Sequence, residues 1–143
     1  MDPNTTAEML RQIRSGKDIP PPAKLLNMNA AKACEQIPFS PYTIATNLMH
    51  AVFWQDLWLC RLKGERGRSF IEDWRVATTD EWSSIRSSFL QGLDEAIAIA
   101  ESEPFAHKMP SDDIAVSTLI QIAVHDAYHL GQINLLKRQL RKA

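Results

Sequence analysis

The sequence predicts an all-α domain, a four-helix bundle in its simplest form, on three observations. Apolar residues recur every three or four positions along four stretches. Helix-start signatures precede three of those stretches, and glycine or proline follows several. No segment alternates apolar and polar residues between hairpin turns.

The first helix is expected to open at Thr5-Thr6-Ala7-Glu8, read as a capping box, with Met9, Leu10 and Ile13 as its apolar stripe and Gly16 as its stop. Pro20-Pro21-Pro22 then excludes helix, because three donors are missing and the chain is biased to extended geometry. A short turn fits between Asn29 and Glu35. The second long helix runs from Pro41 or Tyr42 to Leu62, with Ile44, Leu48, Ala51, Trp54 or Gln55, and Trp58 on one face and Gly64 beyond its end. Gly64 to Ala77 is polar, holds two glycines and reads as a loop. If that connection crosses the bundle end to end, the second and third helices run parallel.

Thr78-Thr79-Asp80-Glu81 is a second capping-box signature, followed by Trp82, Ile85, Phe89, Leu93 and Ala100 at helical spacing, with Pro104 as the stop. The fourth helix starts at Ser111-Asp112-Asp113, where acids favour the helix dipole, and continues to about Leu140. It is apolar almost all round between Ile114 and Leu136, so most of its sides need cover, and a second subunit is one way to supply it.

Composition limits the function classes. The 143 residues make one domain, 1–143, and a formal net charge of −1 gives no electrostatic footprint for nucleic acid or an anionic membrane. No apolar run approaches the roughly 18 residues of a spanning helix, and the first residues do not form a signal peptide, so a cytoplasmic location is expected. Cys34 and Cys60 are too few for a disulfide scaffold and read as small hydrophobes. There is no phosphate loop, dinucleotide fingerprint or nucleophile elbow.

The chemistry is in the histidines. His125 and His129 are four apart on the fourth helix, so both imidazoles reach one point. Chance gives such a pair roughly one time in ten with four histidines in a chain of this length, so spacing alone is weak. Their position strengthens it, since they fall on the core-facing line Thr118, Ile122, His125, His129, Gln132, Leu136. Buried imidazoles cost several kcal/mol unless their nitrogens find partners, and a shared cation satisfies both. Asp126 stands where a zinc protease has glutamate, so that reading fails. His50 lies in another apolar helix and completes a three-nitrogen face if the second and fourth helices are neighbours. Three protein ligands leave a coordination position open, as in catalytic metal sites. The alternative is a set of core histidines bonded to carbonyls or water.

Trp54, one turn beyond His50, is a candidate pocket wall, and Gln132 a candidate for orienting a ligand or water. Gly131, costly inside a helix, suggests close approach by another helix or a ligand. His107, in the loop before Pro110, reads as a solvated surface histidine. Cys60 is about 15 Å along the helix from His50, too far to share its metal.

Ser40-Pro41-Tyr42-Thr43-Ile44 leading to His50, with His125-x-x-x-His129-x-Gly131-Gln132, resembles the DinB-like (damage-inducible, YfiT-like) metalloprotein superfamily over residues 25–140. The resemblance implies an up-down-down-up four-helix bundle, usually a homodimer, with His50, His125 and His129 matching the family's metal ligands. It also implies zinc or nickel, with iron or manganese compatible with imidazole ligands. Relatives of that kind include thiol S-transferases using low-molecular-weight thiols, an isomerase and hydrolases. The chain departs from the pattern at its short first helix and triple proline. The reaction class expected is thiol S-transfer on a small molecule. The alternatives are a metal-dependent hydrolase and a non-catalytic dimeric module with a structural or vestigial metal.

Overall fold

The computed structural model describes residues 2–66 and 73–142. Among these residues there are six α-helices and no strand: α1 (Pro3–Ser15), α2 (Pro22–Leu25), α3 (Ala30–Ala33), α4 (Ile44–Leu62), α5 (Trp82–Glu101) and α6 (Asp112–Lys142). The four long helices are the four predicted stretches, while α2 and α3 are single turns. No described helix is long and apolar enough to cross a membrane.

Caps explain where the boundaries differ from expectation. α1 begins at Pro3, not at Thr5, because Asp2 accepts the Thr5 amide at 2.8 Å and proline suits the first helical position. Glu8, read from sequence as half of a capping box, pairs with Arg11 instead. Its end is as expected, with Gly16 left-handed at φ +77°. The triple proline excludes helix only as far as Pro21. Pro22 starts α2, where its missing donor costs nothing. α4 starts at Ile44 behind the Thr43 cap, two or three residues later than expected. The Thr78/Glu81 capping box is present, but a 3-10 turn at Thr79–Glu81 precedes α5.

Side-chain pairs set the direction of each helix. Arg11 and Arg14 on α1 reach Glu101 and Asp94 on α5, so α1 and α5 run in opposite senses. Thr46 on α4 lies beside Ala77, Gln55 beside Phe89, and Lys63 beside Glu95, so α4 and α5 run in the same sense. α4 opposes α6, since Asn47 meets Gln132 and Gln55 meets Asp126. The core these helices share includes Leu10, Leu48, Phe89, Leu93, Leu119, Ile122 and Ile133, all with essentially no exposure.

Of the two residues the spacing left open on α4, Trp54 and Gln55, it is Gln55 that holds the core line, at 1% exposure. One local expectation is corrected. The close-approach glycine is Gly92, where a Cβ would fall 1.8 Å from Gln55 Oε1, whereas a Cβ on Gly131 would meet nothing within 4 Å in this chain. The expected loop Gly64 to Ala77 lies partly outside the described residues, at 67–72. Cys60 is buried and Cys34 half-buried, and the two do not form a disulfide.

Candidate metal centre

His50 on α4 and His125 and His129 on α6 come together because those helices pack antiparallel at that level. One ligand atom from each lies within 4.8 Å of the others. His50 and His129 are buried at 7% and 3% exposure, and His125 is half-buried. His125 Nε2 and His129 Nε2 are 3.2 Å apart. The His50 ring centroid stands 4.8 Å from that of His129 and 5.3 Å from that of His125.

Hydrogen bonds on the outer side of the rings decide which nitrogen faces inward. His50 Nδ1 is 2.8 Å from Asp73 Oδ1. A carboxylate only accepts, so Nδ1 carries the hydrogen and Nε2 presents a lone pair. His129 Nδ1 is 2.7 Å from Asn47 Oδ1, and Asn47 Nδ2 donates to Gln132 Oε1 at 3.1 Å. That chain makes Asn47 the acceptor for His129, and the His129 Nε2 lone pair also faces in. His125 Nδ1 is buried without a hydrogen-bond partner. Trp58 stands edge-to-face against the His125 ring at 5.2 Å.

The electrostatics suit a neutral donor set. Burial lowers the His129 pKa to about 4, with the neighbouring His125 and His50 charges adding to the effect. Burial also lowers His125, followed by His50. Metal-binding imidazoles must be unprotonated, so a cluster that resists protonation competes well for a cation. Three neutral nitrogens, that of His50 turned inward by a carboxylate that can only accept and that of His129 by Asn47, fit a divalent ion with an open position.

The wall around this cluster is aromatic. Trp74 stacks on His50 at 3.8 Å and 10°, and Tyr42 stacks on Trp74 at 4.6 Å and 19°. A pocket of about 360 Å³ lies against that stack, lined by Pro41, Tyr42, Trp74, Val76 and the uncharged side chains Gln36, Thr43 and Thr46. Trp54, expected as a pocket wall, does not line this pocket; its Nε1 donates to Asp73 Oδ1 at 3.0 Å and holds the carboxylate that orients His50. Gln132 Oε1 accepts from Asn47 Nδ2, and so supports the residue that orients His129.

The structure brings together the three histidines that the sequence grouped, and three of their neighbours were missed. Asn47, at i−3 from His50 on a buried face, was legible as a buried amide in an apolar helix. Asp73 and Trp74 had no periodic signal, since they follow a polar loop and reach the site only through tertiary folding. His107 is not a solvated histidine. Its Nδ1 accepts the Met109 amide at 3.1 Å, its Nε2 lies 2.6 Å from Asp112 Oδ1, and it braces the start of α6.

Compared with protein-family models, curated proteins and solved structures, the chain has no match in any of the three. The likeness to DinB-like proteins rests on the sequence elements at residues 40–50 and 125–132.

Proposed function

We propose that this protein is a metal-dependent enzyme whose centre is His50, His125 and His129, with thiol S-transferase-type chemistry as the reaction class. The observation that carries the reading is the pair of outer hydrogen bonds, Asp73 to His50 and Asn47 to His129, which turn two Nε2 lone pairs toward one point. The helix directions, taken together, support an up-down-down-up bundle of the DinB-like kind. A divalent ion bound there, zinc or nickel by the resemblance and iron or manganese by ligand type, supplies a Lewis acid that lowers the pKa of a thiol or water.

The chain's own residues would do the rest. The three imidazoles would hold the ion, Asp73 and Asn47 hold those of His50 and His129, and Trp54, Trp58 and Trp74 restrict water around them. The pocket between Tyr42, Trp74 and Val76 has no ionised lining residue. It suits a small uncharged co-substrate with a planar or apolar group. Hydrolysis of such a substrate is the alternative reaction, since the same lowered pKa applies to water.

A second reading has its own observation, the 3.2 Å approach of His125 Nε2 to His129 Nε2, which a hydrogen bond between the two rings satisfies without metal. Elemental analysis of protein purified without a nickel column, wild type beside His50→Ala, separates the two. Near-stoichiometric metal in the wild type, lost in the variant, is expected. No metal in either, even after reconstitution, would sink the enzyme reading. If metal is present, a strong rise in melting temperature on loading without activity toward thiols or esters would identify a structural or vestigial centre.

A further inference from the structure

The proline segment after α1 meets the end of α6 at another pocket, of about 340 Å³. Pro20, Pro21 and Leu25 give it an apolar part, while Lys24, Lys137 and the α6 pair Arg138 and Arg141 give it four cations. Its lining holds no carboxylate. Lys137 stands about 12 Å beyond His129 along α6, so the metal centre is elsewhere. The apolar rim is fixed by its neighbours. Gly16 is left-handed at φ +77°, and a Cβ there would fall 2.5 Å from the Pro21 nitrogen, so glycine alone lets the chain fold back this tightly. Lys137 Nζ donates to Leu25 O at 2.8 Å and ties α2 to α6.

Nothing within the chain neutralises this cluster. Among the described residues, Lys24, Lys137, Arg138 and Arg141 have no carboxylate partner. Burial lowers the Lys137 pKa, and the charges of Arg141, Lys32 and Lys24 lower it further. Arg138 and Arg141 suit the C-terminal end of the α6 dipole. Lys24 and Lys32 come from the single turns α2 and α3, which have little dipole to complement. Like charges gathered from three helices repel one another unless an anion joins them.

We propose that this pocket binds a soluble phosphate ester, its phosphate held by Lys24, Arg138 and Arg141 and its organic body against Pro20, Pro21 and Leu25. Arg138 and Arg141 are three apart on α6, so both guanidinium groups reach one point, and such groups take phosphate oxygens two at a time. Three converging cations match a dianion with three acceptor oxygens better than a single carboxylate, which has one charge and two oxygens. A nucleic-acid backbone or an anionic membrane calls for an extended basic surface, whereas this cluster closes around one pocket in a chain of net charge −1.

The site does not use the metal, so its test is separate from that of the proposed function. Calorimetric titration with phenyl phosphate at low ionic strength should show one site per chain, tighter than inorganic phosphate and tighter than benzoate. Lys24→Gln with Arg141→Gln should weaken it about tenfold or more. Arg61→Gln with Lys108→Gln removes the same charge from exposed positions before the start of α6, and should change affinity less than about twofold. His50→Ala should bind as the wild type does. Both Lys24 and Arg141 are exposed, and without ligand their double variant should melt no lower than the wild type. No binding to the wild type, equal losses in the two double variants, loss in His50→Ala, benzoate as tight as phenyl phosphate, or a lower melting temperature of the Lys24/Arg141 variant would each overturn the proposal.

Discussion

Two buried polar clusters bridge α4 and α6 in this protein, and they are built on opposite terms. The histidine cluster has the outer nitrogens of His50 and His129 engaged by Asp73 and Asn47 and their inner lone pairs turned toward a common point, while the outer nitrogen of His125 has no partner. The other cluster is Gln55 and Asp126, the latter adjacent in sequence to His125 and the former about one helical turn beyond His50 along the same α4–α6 contact. Asp126 has no exposure, receives one hydrogen bond from Gln55 at 2.7 Å, and leaves its Oδ1 without a partner. Burial raises the Asp126 pKa to about 8. Burial alone therefore does not mark a functional site. Both clusters are buried, but only the histidines converge on a place where something else can bind, and the carboxyl is enclosed by its own core.

The contrast is sharpened most by removing an orienting group from the first cluster. Asp73→Ala leaves His50 in place but frees its tautomer. Metal affinity should fall about 10- to 100-fold with little change in folding. Competition with a chromogenic chelator measures it, and an unchanged affinity would mean that Asp73 is not what aims His50.

The second cluster should declare itself through pH. In the metal-free protein Asp126 keeps its proton up to about pH 8, against 3.8 when unfolded, so stability falls as pH rises through that interval. His129 acts in the opposite direction. Its folded pKa of about 4 lies below the unfolded 6.5, so its contribution is present above pH 6.5 and is lost as pH falls toward 4. The two oppose each other between about pH 4 and 6.5, and Asp126 alone remains above that. From pH 6.5 to 8 the wild type should lose about 2 kcal/mol, and Asp126→Asn should lose almost none. Urea titrations across that range decide it, and parallel curves for the two proteins would refute the assignment.

The smallest effect belongs to Gly92. Alanine there gains about 1 kcal/mol of helix propensity. However, its Cβ displaces Gln55 from Asp126 and leaves buried polar atoms unpaired, at about 1–3 kcal/mol. A net destabilisation of about 1 kcal/mol is expected, and a more stable variant would show that Gln55 is not needed where it sits.

Much of this molecule is written locally. The four long helices, the Gly16 and Gly64 stops, the Thr78/Glu81 cap and the His125/His129 pair follow from spacing and cap chemistry, which act within a few residues. Boundaries slipped where two local signals competed, as when Asp2 and Pro3 prevailed over Thr5 and Glu8. Supports contributed by distant segments were not legible. Asp73 and Trp74 come from a connection without periodicity, and Asn47 becomes a partner of His129 only once α4 and α6 pack. The two glycines show the same division. Sequence singled out Gly131 as costly and passed over Gly92, but packing shows that Gly92 admits Gln55 while Gly131 faces outward. Helix formation and the shared face of His125 and His129 are properties of single helices, so they are legible in chain order. The inward nitrogens and the enclosed Asp126 carboxyl depend on packing, because a tautomer and a pKa are set by neighbours distant in the chain.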